Sequence, residues 1–130
     1  MSSNMSSKIF FTLDEANSLI PKLLDWVPAI QNLSVSMRRD FPDISNAHEK
    51  AKWNGGSNEG AAYLSVVMQY NDIIQQIESA GCEVKGINEG LVDFPSIRDG
   101  REVYLCWRMP EQEIRFWHDT HSGFAGRQPI

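Results

Sequence analysis

The chain has 130 residues, of which 42% are hydrophobic and 22% are charged, and its formal net charge is −5. This length and composition predict a single globular domain, residues 1–130, and argue against an intrinsically disordered chain. The acidic balance argues against binding to nucleic acid or to an anionic membrane surface, so we predict neither partner.

The first residues and the cysteines indicate the cellular compartment. Residues 1–8 are polar and rich in serine, and we predict that they are disordered. They lack the apolar stretch of a signal peptide, and no segment has the roughly 18 apolar residues of a membrane span. Cys82 and Cys106 form neither a disulfide framework nor a CxxC motif. We therefore expect a cytoplasmic protein, with Cys106 as a buried thiol between apolar neighbours.

A first long helix is predicted to begin at Thr12, because Thr12 and Glu15 have the spacing of a capping box. Apolar residues then recur at alternating intervals of three and four, the pattern of a helix that packs along one stripe. Pro21 and Pro28 lie within this stretch, and each removes a backbone hydrogen bond. We predict one bent helix, and the alternative is two shorter helices.

A second apolar stripe with the same spacing runs from Tyr63 to Ala80 and is followed by Gly81, a common residue after a helix. The polar, glycine-rich residues 41–60 are predicted to form a loop, so the two helices would make a long hairpin. Further apolar residues lie beside the first stripe and could pack on a sheet or on a second copy, which makes a homodimer through the helices possible. These residues are Leu19, Leu24, Trp26 and Leu33.

After Gly81 the spacing becomes that of strands. Four strands are predicted, at Val84–Ile87, Gly90–Ile97, Glu102–Arg108 and Glu113–His118. The third is expected to be central, because both of its alternating faces are largely apolar. Residues 123–130 are not predicted to be regular, but Arg127 and Gln128 are expected to fold back onto the strands. Helices followed by a small antiparallel sheet of three or four strands predict an α+β fold.

Five segments resemble the sequences of one family. They are Phe11-Thr-Leu-Asp-Glu-Ala-Asn, Gly90-Leu-Val-Asp-Phe-Pro, Arg98-Asp-Gly-Arg-Glu-Val-Tyr-Leu-Cys-Trp-Arg, Phe116-Trp-His and Gly123-Phe-Ala-Gly-Arg-Gln-Pro-Ile. Over about residues 11–130, with 41–60 as the variable part, the chain resembles a bacterial family known only as domain of unknown function 2203. The resemblance implies a small bacterial protein of helices followed by strands, without a settled activity. It includes His118 but not His121.

His118 and His121, with Asp119 between them, are candidate ligands for zinc or another transition metal. Asp93 or Glu102, on neighbouring predicted strands, could supply a third ligand. Alternatively, His118 lies at a strand end and is hydrogen-bonded by a carboxylate. Acid/base catalysis by His118 with Asp93 and Glu102 is a further possibility, because imidazole titrates near neutral pH. We predict no cofactor beyond this possible metal.

All the basic residues after residue 90 are arginines. Arg98, Arg101 and Arg127, together with Gln128, are candidates for binding a small anionic ligand, because a guanidinium group pairs with carboxylate or phosphate in two hydrogen bonds. The same arginines could instead pair with the chain's own carboxylates. The many aromatic residues in this part of the chain favour a packed core over a surface that stacks nucleic-acid bases.

The sequence leaves the function unknown. We expect a non-catalytic interaction module or a small-anion-binding module. The alternative is a small metal-dependent or acid/base enzyme in which His118 acts with nearby carboxylates and Arg127. Whether the protein is an enzyme stays open, because the chain contains no glycine-rich phosphate loop and no nucleophile motif.

Overall fold

A computed structural model describes residues 8–41 and 58–130. In these residues the helices are α1 (Leu13–Asn17), α2 (Ile20–Asp40) and α3 (Asn58–Ser79). The strands are β1 (Glu83–Gly86), β2 (Leu91–Arg98), β3 (Arg101–Arg108), β4 (Phe116–Asp119) and β5 (Gln128–Pro129). The α+β prediction is confirmed, with three helices rather than two long ones and five strands rather than three or four. The predicted disordered start and the predicted loop lie mostly outside the described residues.

The first predicted helix is divided in two near Pro21. The capping box is present, with the Thr12 hydroxyl accepting from the Glu15 backbone N–H and the Glu15 carboxylate accepting from the Thr12 backbone N–H. Pro21 lies in the first turn of α2, where a missing backbone N–H is harmless. Pro28 remains inside α2. The prediction of a single bent helix was therefore wrong near Pro21, where the structure has the alternative, two separate helices.

The two long helices pack against each other and run in opposite directions. Near one end of the pair, Trp26 Nε1 donates to Gln76 Oε1 at 3.2 Å. Near the other, the rings of Phe41 and Tyr63 meet edge to face at 5.7 Å. The residues that connect these helices, 42–57, are outside the described part of the chain. Among the described residues, no helix has the length and apolar character needed to cross a membrane.

The sheet follows the order of the chain, β1-β2-β3-β4-β5, and each neighbouring pair is antiparallel. The central position of β3 was predicted correctly. The tail adds the fifth strand, since Gln128 pairs with Trp117 and the Ile130 N–H donates to the Arg115 carbonyl oxygen. The prediction that the tail folds back is thus confirmed, and the prediction that it is irregular was wrong.

The two faces of the sheet have different roles because side chains alternate along each strand. One face packs on the helices and forms the hydrophobic core. Its strand residues include Val92, Phe94, Val103, Leu105 and Trp107, and the buried helix residues include Ile20, Leu23, Val27, Ile30 and Ile77. The register places Asp93, Tyr104, Cys106, Phe116 and His118 on the opposite face. This second face carries the candidate site.

Candidate functional site

Three residues with metal-binding side chains lie together on the sheet face away from the helices. Asp93 on β2 pairs in register with Cys106 on β3, and His118 on β4 pairs with Tyr104, two residues from Cys106. One ligand atom from each of the three side chains lies within 4.8 Å of the other two. Each residue is at most 3% exposed. Three separate strands therefore bring an oxygen, a sulfur and a nitrogen atom to one buried position, which we call the triad.

The hydrogen bonds of His118 indicate which ring nitrogen can bind a metal. Nδ1 lies 2.7 Å from the backbone carbonyl oxygen of Asp119, which can only accept, so Nδ1 donates a proton. Nε2 lies 2.9 Å from Asp93 Oδ2. Burial raises the pKa of Asp93, while the adjacent His118 acts in the opposite direction. Without a metal, a proton lies between Nε2 and the carboxylate; without that proton, Nε2 presents its lone pair toward the triad.

The thiol of Cys106 is held in its protonated form. Burial is the largest cause of a pKa raised to about 11, and the nearby Asp93 acts in the same direction. Arg127 opposes this shift without reversing it. A reactive cysteine needs a lowered pKa and access to solvent, and Cys106 has neither. The environment therefore argues against a nucleophilic role, whereas a bound cation would supply the positive charge that a thiolate needs.

Tyr104 flanks the triad on one side. Its ring lies 5.5 Å from the ring of His118, and its hydroxyl donates to the Glu83 carboxylate at 3.1 and 3.2 Å. Burial and the contact with Glu83 raise the pKa of Tyr104. The ammonium group of Lys85 lies 4.6 Å from the centre of the same ring. These contacts hold the tyrosine ring in place beside His118.

Arg127 flanks the triad on the other side. Its guanidinium group lies 4.3 Å from the Phe116 ring centre and 4.6 Å from that of Phe124. Nη2 donates to both Glu111 carboxylate oxygens at 3.1 Å and approaches the Cys106 carbonyl oxygen at 3.4 Å. Its Nε is buried without a hydrogen-bond partner in the described part of the chain. Arg127 thus has an internal carboxylate partner, and its binding of an external anion stays a prediction.

The other predicted anion-binding residues lie around Trp117, on the helix side of the sheet. The guanidinium groups of Arg98 and Arg101 lie 4.8 and 5.9 Å from the Trp117 ring. Arg101 also forms an ion pair with Asp119, and Gln128 pairs with Trp117 through the backbone. The predicted set is therefore divided, with Arg127 on one face and the other three residues toward the opposite face.

The predicted metal ligands are likewise only partly brought together. Asp119 follows His118 in β4, so its side chain points to the opposite face, where it meets Arg101. His121 is exposed in the turn after β4, and Glu102 forms an ion pair with Lys8 at 2.6 Å. In the described residues none of these three belongs to the triad. His118 does belong to it, as does Asp93, which the sequence suggested as a third ligand.

Cys106 is the residue that the sequence reasoning missed as a ligand. The alternation of β3 indicates that Cys106 shares a face with Tyr104 and not with Val103, Leu105 and Trp107. What the sequence does not contain is the register that sets Cys106 opposite Asp93. Once the pairing of β2, β3 and β4 is known, the alternation of side chains along each strand places all three ligands on one face.

A family model described as "Uncharacterized conserved protein (DUF2203)" matches residues 9–130 of the chain. The matched range includes all five strands and all three residues of the triad. No curated protein matches the chain, and no solved structure matches it either.

Proposed function

The chain belongs to the family of uncharacterized conserved proteins DUF2203, and we propose that it binds a transition-metal ion, zinc or a close relative, through Asp93, Cys106 and His118. One observation carries the proposal: three buried side chains of different metal-binding chemistry converge from three strands to within 4.8 Å. Buried polar groups on a sheet are costly unless they are paired or coordinated. In the structure these groups pair with one another, His118 with Asp93 and Cys106 with Asp93, and a bound ion would replace these pairs by bonds to all three side chains.

The dimensions of the triad fit a tetrahedral site. Zinc bonds of about 2.0–2.3 Å place neighbouring ligand atoms roughly 3.3–3.8 Å apart. Ligand atoms within 4.8 Å of one another therefore need to move by about 1 Å or less. The 2.9 Å separation between His118 Nε2 and Asp93 Oδ2 would widen slightly as the shared proton leaves. The hydrogen bond from His118 Nδ1 to the Asp119 carbonyl is a typical support for a metal-binding imidazole.

The ligand set favours zinc and its borderline-soft neighbours. A thiolate and an imidazole suit these ions, and a carboxylate oxygen is a common third ligand. Three protein ligands leave one position for water or a substrate, the pattern of catalytic rather than structural zinc. A small metal-dependent enzyme is therefore the finer form of this proposal. We further propose that the protein is cytoplasmic, because a reducing compartment keeps the thiol of Cys106 free to bind the ion.

The small-anion-binding alternative receives weaker support. Arg101 and Arg127 already face the carboxylates of Asp119 and Glu111, which a ligand would have to displace. Arg98 and Arg101 both lie beside Trp117, but Arg127 lies on the opposite face of the sheet, so the predicted set does not converge on one cavity. Internal ion pairs, the plainer interpretation of these arginines, account for most of their contacts.

Isothermal titration of the metal-depleted protein with zinc chloride tests the proposal. We expect one bound ion per chain, and a chelator should lower the melting temperature of the loaded protein. Cys106→Ala should weaken zinc binding by about 100-fold or more, because it removes one of three ligands. Cys82→Ala is the matched control, since Cys82 is equally buried but lies outside the triad. It should bind zinc as the unchanged protein does.

A second pair of variants separates the two histidines. His118→Asn should abolish tight zinc binding, whereas His121→Asn should leave it unchanged, because His121 is exposed and apart from the triad. The proposal is wrong if the unchanged protein binds no zinc. It is equally wrong if the control variants lose as much affinity as the triad variants.

A further inference from the structure

The outer halves of α2 and α3 are poorly buried within the described chain. The buried residues of α2 are Ile20, Leu23, Val27 and Ile30, and all of them lie in its first half. None of the residues 31–41 or 61–76 is buried, although the two helices contact each other along this length, and Gly60 is the only buried residue of the first turns of α3 that the structure describes. We call residues 31–37 of α2 and residues 61–71 of α3 the outer arm.

The outer arm exposes large apolar side chains in a continuous stripe. Leu64 is 56% exposed and Met68 is 63% exposed, and on a helix residues four apart lie side by side. Ala61 lies three residues before Leu64 and lines the same shallow groove. On the neighbouring helix, Val35 is 41% exposed. Single exposed apolar residues are ordinary, but apolar residues that line one groove along a helix favour a covered surface.

The outer arm also lacks charge. Residues 26–37 and residues 60–71 contain no Asp, Glu, Lys or Arg, although 22% of the whole chain is charged. A helix that faces water ordinarily carries charged residues on its outer side, so the absence of charge over these stretches favours a covered surface. The uncharged stretches coincide with the poorly buried ones at residues 31–37 of α2 and residues 61–71 of α3. The two observations are independent and point to the same surface.

We propose that the outer arm is a dimer interface, in which two copies of this chain pair their α2 and α3 helices into a four-helix bundle. A second copy fits this face, because it presents the same uncharged apolar surface and needs no charged partner. Each chain carries a net charge of −5, so two copies repel each other at long range, and an uncharged surface is where they meet without adding close like-charge pairs. Two helices that pack only against each other need one narrow apolar stripe each. A helix of a four-helix bundle needs a wider apolar face, and Leu64 and Met68 provide this additional width on α3.

The size of the outer arm indicates how strongly two copies should bind each other. The eleven residues 61–71 are roughly 16 Å long as a helix, and two helices side by side are about 20 Å wide. Their face is thus about 300 Å² per copy in projection, well below the roughly 800 Å² per partner of a standard interface and in the range of weak, transient ones. We therefore expect a reversible dimer with a dissociation constant in roughly the micromolar range. This inference does not depend on the metal site, which lies on the far face of the sheet.

Sedimentation velocity of the full chain, from about 1 to 200 micromolar, tests the inference. The average mass should rise from one chain to two over this range. The dissociation constant should stay the same or fall from low to high salt, because the interface is uncharged and salt screens the repulsion between the two net charges of −5. A single-chain mass at every concentration would overturn the inference, as would a dimer that salt dissociates.

Variants locate the interface. Leu64→Glu should raise the dissociation constant at least tenfold, because each copy then brings one negative charge into the interface. Ile97→Glu is the control, since Ile97 is an equally exposed apolar residue on β2, at 53%. It should leave the dimer unchanged. Where Leu64→Glu does not fold, Met68→Gln, an uncharged variant of similar length, should weaken the dimer instead. Loss of the dimer in Ile97→Glu, or its persistence in the arm variants, would place the contact elsewhere and overturn the inference.

Discussion

Asp93, Cys106 and His118 each stand next to apolar residues in strands, yet their side chains meet on the face that the hydrophobic core does not use. Their separate features are unremarkable: a histidine bonded to a carboxylate, and a cysteine in an apolar strand. Their combination is specific, because burial raises the pKa values of both Asp93 and Cys106, and the nearby basic groups only oppose this shift. The metal proposal explains why all three groups share one place.

The protonation of Cys106 predicts how zinc binding depends on pH. Its pKa of about 11 keeps the thiol protonated between pH 6 and 8, so binding as a thiolate releases one proton. The association constant should therefore rise at least tenfold per pH unit over this range, because the proton shared by His118 and Asp93 also leaves when both bind the ion. Titrations in two buffers of different ionisation enthalpy measure the released protons. Cys82→Ala should release the same number, and a pH-independent affinity would contradict the proposed ligand.

At the residue scale, sequence reasoning found part of the triad and missed the rest. Imidazole at a strand end and a carboxylate on a neighbouring strand pointed to His118 and Asp93. The HxxH spacing suggested His121, but in a strand-to-turn segment three residues do not bring two side chains together as they do on a helix. Cys106 was missed because an apolar strand makes a buried thiol the simplest interpretation. Only the pairing of β2 with β3 shows what it faces.

At the element scale, the alternation of side chains and the capping box predicted the structure correctly, whereas the strand in the tail was not predicted. The faces of β3 and the capping box at Thr12 follow from local patterns that packing does not override. The break before α2 was left between two alternatives, because Pro21 fits both a bend and a first turn. The fifth strand was missed since Gln128–Pro129 is too short to show alternation, and β4 supplies its pairing partner from a distant position.

The tail is expected to contribute measurably to stability. Deleting residues 123–130 removes β5 and the contacts of Arg127 with Phe116 and Glu111, in which only 13% of the Arg127 side chain is exposed. We expect the loss of about 2 kcal/mol, or roughly 5–10 °C in melting temperature. Arg115→Gln is a control, because its ion pair with Glu113 is largely exposed and should matter by less than about 0.5 kcal/mol. An unchanged melt after the deletion would mean that the tail adds nothing to the fold.

At the scale of the whole molecule, three regions have different roles. The helices and one sheet face form the core, the opposite sheet face holds the triad, and the uncharged outer arm lies beyond both. A dimer through the outer arm would not cover the sheet face that carries the triad. The net charge of −5 then falls on the surfaces outside the bundle, where it favours solubility.

Cobalt(II) binding is the sharpest test of whether Cys106 binds a metal together with Asp93 and His118. Cobalt(II) replaces zinc in sites of this kind, and a cobalt–thiolate bond produces a charge-transfer absorption that oxygen and nitrogen ligands do not. We expect this band in the unchanged protein and in Cys82→Ala, and its loss in Cys106→Ala and His118→Asn. Cobalt that binds without the band, or a band that disappears in Cys82→Ala and persists in Cys106→Ala, would contradict the claim.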